Sequence, residues 1–301
     1  MRRVLAIIMM LVLCCMAAFS VCAYAEEPHS TEFNWDDYTL EELVEIQEGL
    51  SAKINEKTRA WAIEHGDPSL FSYVQQHLDV DFSLVRVLKE ESDAKILLLR
   101  HSVSGQLFVL RDFAGNPEIY RELMTVSSPF LPRVYEVASQ DGRLLVLEEY
   151  IQGDTLYSIL EHSLFSPGKA RRITLQLCNA LRILHSFGAV HRDVKPENII
   201  LRGDEAVLID FDASRTQKPS GTSDTVVLGT TGYAAPEQYG LAQTDNRADI
   251  YSLGVVLNVM LTGDHPSVRL AKGHMGRVVR RCTMTNPDQR YPNVLRLAEA
   301  L

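Results

Sequence analysis

The rhythm of apolar and polar positions changes along the chain. Val4 to Ala25 is an uncharged, mostly apolar run that follows Arg2 and Arg3 and closes on Ala-Tyr-Ala. A basic start, an apolar middle and a small-residue end predict a signal peptide over 1–25. The run also has the ~20 residues a bilayer span needs, so an uncleaved anchor through residues 4–25 is the alternative. Residues 26–37 are polar. Leu40, Leu43, Ile46, Leu50 and Ile54 then recur at helical spacing behind a Thr39/Glu42 capping box, until Gly66 and Pro68 stop the pattern. With a second short helix over 69–78, residues 26–80 read as a helical spacer.

From Asp81 the pattern shortens. Runs rich in branched residues (FSLVRVL, KILLLRH, QLFVLRDF) predict strands. The stretch 116–128 reads as a helix, and 132–151 as a hairpin turning at Asp141-Gly142. Residues 81–152 are therefore a mostly antiparallel sheet with one helix. Beyond Gly153 helices dominate. Ser166 and Pro167 cap a helix that runs to Gly188, two short strands lie over 198–201 and 206–210, and helices occupy 246–263 and the stretch after Met275. A small sheet-rich lobe (81–152) followed by a larger helical lobe (153–301) is an α+β, two-lobe plan.

Composition narrows the partners. The 301 residues are 46% hydrophobic with a formal charge of -9, and an acidic balance argues against nucleic acid. Of five cysteines, Cys14, Cys15 and Cys22 lie in the leader; Cys178 and Cys282 read as core thiols, with neither disulfide nor metal spacing. The leader's charge bias predicts that everything after Ala25 lies outside the cytoplasm, secreted or membrane-anchored; the alternative is a cytoplasmic domain whose leader was gained by fusion or a misplaced start.

The chemistry concentrates between His191 and Asp210. A loop offering Asp193, then Lys195, then Asn198, with Asp210 after a strand, suits phosphoryl transfer. An Asp can orient a hydroxyl and take its proton, a Lys can neutralise developing charge, and an amide and a carboxylate can hold a metal ion.

Ordered motifs then carry a resemblance. HRDVKPEN (191–198), DFD (210–212), GTTGYAAPE (229–237), ADIYSLG (248–254) and NPDQRY (286–291) resemble the eukaryotic-type Ser/Thr protein kinases, over about Phe82 to Leu301. The resemblance implies a two-lobed kinase-like fold, ATP and Mg²⁺ as cofactors, and a protein Ser or Thr as acceptor. It implies Asp193 as catalytic base, Lys195 as the Ser/Thr-class lysine, and Asn198 and Asp210 as metal ligands. Thr230 would complete the site by bonding to Asp193 and Lys195. Leu88, Ile96, Val109, Arg111 and Ile200 would surround the nucleotide, with Glu148 in the gatekeeper position and Glu149 and Tyr150 at the hinge. Arg111 would pair with Glu122. Asp249 would brace the catalytic-loop backbone, Arg290 would pair with Glu237, and Arg192 would clamp a phosphate carried by Thr222, Ser223 or Thr225.

The chain departs from the pattern in its small lobe. Where the family has a glycine-rich loop, this chain has LKEESDAKI (88–96), with Lys89, Glu91 and Ala94 for the glycines. Glycine lets backbone N–H groups approach phosphate oxygens; side chains obstruct that approach, and Glu90, Glu91 and Asp93 add like charge. Arg111 replaces the family's lysine, a change of geometry as well as size, and Asp212 replaces the last glycine of DFG. The leading expectation is an active Ser/Thr protein kinase; the alternative is a pseudokinase scaffold with weak or no turnover. Small-molecule phosphotransfer is a third class, disfavoured by the activation-segment motif at 229–237.

Overall fold

The computed structural model describes Leu78 and residues 80–216, 232–239 and 244–301. The signal or anchor segment at 1–25, all but Leu78 and Val80 of the spacer at 26–80, Thr230, and Thr222, Ser223 and Thr225 lie outside the described residues. Among the described residues no helix is long and apolar enough to cross a membrane.

The small lobe is a five-stranded antiparallel sheet in the order β1-β2-β3-β5-β4, formed by β1 (Phe82–Glu90), β2 (Ala94–His101), β3 (Leu107–Ala114), β4 (Val134–Gln140) and β5 (Arg143–Glu149). The strands follow the branched-residue runs. Asp141 and Gly142 both adopt left-handed φ, 51° and 80°, as the tight turn between two right-twisted strands demands. The helix expected over 116–128 is only α1 (Glu118–Leu123). Its continuation contains Thr125 and Val126, poor helix formers, and Ser127 and Ser128 precede Pro129, which disfavours helical geometry before it.

In the large lobe α2 (Leu156–Leu160) is followed by α3 (Pro167–Ser186). Ser166 Oγ accepts from Lys169 N–H and proline occupies the first turn, as its sequence predicts. Ile173, Leu177, Leu181 and Leu184 bury one face of α3 against α4 (Arg247–Thr262), which is buried along most of its length. Helices α5 (Gly273–Cys282) and α6 (Val294–Ala300) close the lobe. Gly254 in α4 allows α5 to approach: a Cβ there would lie 2.3 Å from Cys282 Cβ. Cys178 and Cys282 are buried free thiols.

Two small sheets lie below the cleft. β6 (Asp154–Thr155), β8 (Ile199–Arg202) and β9 (Glu205–Leu208) form one; β7 (Ala189–Val190) and β10 (Arg215–Thr216) form the other. One hydrophobic cluster runs from Phe113, Tyr120 and Val146 through Phe211 into α3 and α4, so both lobes share a core and the polar site sits on its edge.

Candidate active site

The catalytic loop is the link between β7 and β8. Asp249, fully buried at the start of α4, accepts from His191 N–H at 2.9 Å and from Arg192 N–H at 2.8 Å. Burial alone would raise the Asp249 carboxyl. The bond from His185 Nε2 at 2.8 Å, His191 and the Arg192 N–H outweigh burial and hold it below its ordinary value. Gln238 Nε2 donates to Arg192 O at 2.8 Å. These bonds keep Arg192 at a left-handed φ of 70°, which a non-glycine residue adopts only when its surroundings enforce it. The sequence reading named Asp249 as the brace but missed His185 and Gln238. Their role depends on α3 and the 3₁₀ turn Pro236–Tyr239 meeting this loop, and no local pattern announces that.

Within the loop Asp193, Lys195 and Asn198 come together as expected. Lys195 Nζ lies 2.7 Å from Asp193 Oδ2, and Asn198 Nδ2 donates to Asp193 O and Oδ2, each at 2.9 Å. Ile209 N–H donates to Asn198 O at 2.9 Å, which sets Asn198 beside Asp210. Asp210 also has a left-handed φ, 69°. Phe211 is buried, with its ring edge-on to Tyr120 and His191 at 6.1 and 5.4 Å between centroids. Burial lowers the His191 pKa and keeps the imidazole neutral, as befits a packed residue.

The ceiling of the site is the inner face of the sheet. Ile96, Arg111 and Val146 are cross-strand partners, as are Val109 and Glu148, so strand alternation places all five on one face. Val109 is buried, Ile96 half-buried, and Leu88 exposed at the irregular β1–β2 register between Val87 and Lys89. Ile200 on β8 is half-buried, alternating with the core residues Ile199 and Leu201. The β1–β2 connection is a tight turn, with Glu91 N–H donating to Ala94 O at 2.8 Å. Glu90 and Glu91 are held by Lys95 and Lys89 at 3.0 and 3.1 Å.

Arg111 is 4% exposed and meets three carboxylates. Its Nη2 pairs with Asp210 Oδ1 and, at 2.8 Å, with Asp212 Oδ2; its Nη1 reaches Glu148 Oε1 at 3.4 Å. Burial pulls the guanidinium pKa down, but Tyr120, Glu148, Asp210 and Asp212 together raise it well above normal, so Arg111 stays charged. The expected pairing with Glu122 is thus replaced. The buried guanidinium takes the carboxylates within its reach, and the DFD segment supplies two of them, with side chains 32% and 31% exposed. Glu122 therefore has no demonstrated part in holding a nucleotide. Glu149 follows Glu148 at the end of β5. Its side chain sits on the opposite face from Glu148, with Oε1 accepting from Arg202 Nη1 at 2.8 Å and its N–H donating to Arg133 O at 2.8 Å.

The donor set suits a hard divalent cation. Asn198 uses its amide nitrogen on Asp193, which leaves the amide oxygen for a ligand, and Asp210 Oδ2 makes no hydrogen bond among the described residues. A carboxylate and an amide oxygen, completed by phosphate oxygens and water, are what Mg²⁺ takes in phosphotransfer sites. At the activation-segment end, Arg290 Nη1 and Nη2 grip Glu237 at 2.6 and 2.8 Å, the pairing the motifs imply.

The family model for the protein kinase domain matches residues 113–296. The match begins after Arg111 and the acidic hairpin. The chain is 32% identical over 179 residues to serine/threonine-protein kinase pkn2 of Myxococcus xanthus, covering 57% of this chain and 21% of that protein. It is 33% identical over 261 residues to serine/threonine-protein kinase PknB of Mycolicibacterium smegmatis, covering 72% and 41%. With PknB of Mycobacterium tuberculosis the identity is 34% over 199 residues, 61% and 30%. The alignments span between about a fifth and two fifths of the length of these relatives.

Proposed function

The chain belongs to the protein kinase family, and we propose that it is an active Ser/Thr protein kinase, using ATP and Mg²⁺ to phosphorylate a protein hydroxyl. The observation that carries this reading is the convergence of Lys195 and Asn198 on one carboxylate, Asp193, beside Asp210. In the proposed step the acceptor oxygen bonds to the γ-phosphorus as the bond to the β–γ bridging oxygen breaks. Asp193 orients the acceptor hydroxyl and takes its proton. Lys195, held at that carboxylate, neutralises charge on the moving phosphoryl group. Bound Mg²⁺, held by Asn198 and Asp210, would neutralise the phosphate oxygens. Positioning and charge supply most of the catalysis in such transfers.

A specific observation favours a second reading, a pseudokinase. Arg111 already neutralises Asp210, and the glycine-free hairpin carries Glu90, Glu91 and Asp93. Incubating the full chain with MgATP and a generic protein acceptor separates the two. Phosphate on Ser or Thr, lost by about 10²–10⁴-fold in Asp193→Asn, is the expected result. Nucleotide binding without transfer, or transfer that survives in the variant, would overturn it.

A further inference from the structure

In protein kinases a lysine on the third strand pairs with a glutamate on the following helix, and that pair ties the helix to the nucleotide site. This chain lacks the tie. Its helix α1 has six residues, and its carboxylates, Glu118 and Glu122, are not among the partners of Arg111. The helix reaches the same arginine by another route. Tyr120 Oη donates to Asp212 Oδ1 at 2.6 Å, and the other oxygen of that carboxylate, Oδ2, accepts from Arg111 Nη2 at 2.8 Å.

We infer that Asp212 and Tyr120 are positioning residues: one carboxylate from the activation-segment root bridges helix α1 to Arg111 and takes over the task of the missing helix glutamate. Three features support this beyond the bond lengths. Tyr120 is 1% exposed, and its ring is wedged edge-on against Phe113 and Phe211 at 5.8 and 6.1 Å, which fixes where its hydroxyl points. The hydroxyl and the guanidinium engage different oxygens, so neither displaces the other. Asp212 stands where the family's pattern has glycine, a residue that can make neither bond. The departures at 111 and 212 are then one change: the arginine on β3 and the acid after Phe211 need each other. Because Asp210 binds the same Arg111 nitrogen, helix α1, strand β3 and the proposed metal ligand are held as one body.

The bridge is independent of whether the chain turns over nucleotide; only its consequence for nucleotide binding rests on the proposed function. The test is a double-mutant cycle of Tyr120→Phe and Asp212→Ala in the full chain, read by amide hydrogen exchange over residues 117–126. Alanine is suitable because position 212 does not use a left-handed φ. Each single variant is expected to speed exchange by roughly tenfold, the factor matching about 1.4 kcal/mol for a charge-assisted bond. The double variant should be no faster than the faster single, because both remove one connection. Additive effects, or unchanged exchange in Tyr120→Phe, would overturn the bridge. Should the alanine variant not fold, Asp212→Asn replaces it; the effect of Tyr120→Phe should then shrink, and an undiminished effect would overturn the bridge. Affinity for an unhydrolysable MgATP analogue is the second readout. Tyr120→Phe and Asp212→Ala should change it by the same factor, whereas a merely structural tyrosine would leave it unmoved. A chain that binds no analogue refutes the proposed function while the exchange cycle still decides the bridge.

Discussion

Glu148 offers a quantitative test of the electrostatics above the cleft. It is 4% exposed on β5, shares Arg111 only through a 3.4 Å contact, and its Oε2 is buried with no hydrogen-bond partner among the described residues. Burial pushes its carboxyl up to about 7, against an ordinary 4.5; Asp212 and Asp210 push the same way, and Arg111 only partly opposes them. The folded chain therefore keeps a proton on Glu148 through a range where the unfolded chain has lost it. Since the folded state binds more protons there, stability from this group is greatest below the unfolded value and falls as pH rises through 4.5 to about 7. A displacement of that size is worth on the order of 3 kcal/mol. Glu148→Gln keeps the shape and cannot ionise. Urea unfolding followed by circular dichroism, between about pH 5 and pH 8, should show the variant gaining on the parent as pH rises, by up to about 3 kcal/mol at the upper end. A difference between variant and parent that stays flat across that range would refute the reasoning, because it would mean Glu148 titrates alike in both states.

Two further predictions concern the frame of the site. Arg290→Ala removes a bidentate partner from Glu237, whose side chain is only 13% exposed, and should cost about 3–5 kcal/mol in denaturant unfolding because a buried charge is left unpaired. Asp249→Ala strands the N–H groups of His191 and Arg192, at about 1–3 kcal/mol each, and should lower the unfolding midpoint. Phosphate transfer should fall with it, since Arg192 then has less to hold its left-handed backbone; full activity at a lowered midpoint would separate the brace from catalysis.

Much of this architecture is local and could be read from the sequence. Branched-residue runs mark β1 to β3 because side-chain alternation is a property of a few neighbouring residues. Asp141-Gly142 marks its hairpin and Ser166-Pro167 the start of α3, because turns and caps are settled within a few residues. Asp193, Lys195 and Asn198 are legible for the same reason: the loop that gathers them is eight residues long. Helix α1 was overextended because a periodic pattern says nothing of the prolyl and β-branched stop that follows.

The partners of Arg111 belong to the other category. Sequence placed a cation at 111 and acids at 122, 148, 210 and 212, and the motif pattern pointed to Glu122. Only the tertiary structure decided among them, by folding the DFD segment, 99 and 101 residues away in sequence, under β3. His185, Asp249 and the catalytic loop likewise meet across 57 to 64 residues. A buried charge must be matched by whatever counter-charges the packing brings within reach, and that choice is made by the desolvated pocket as a whole rather than by any stretch of chain.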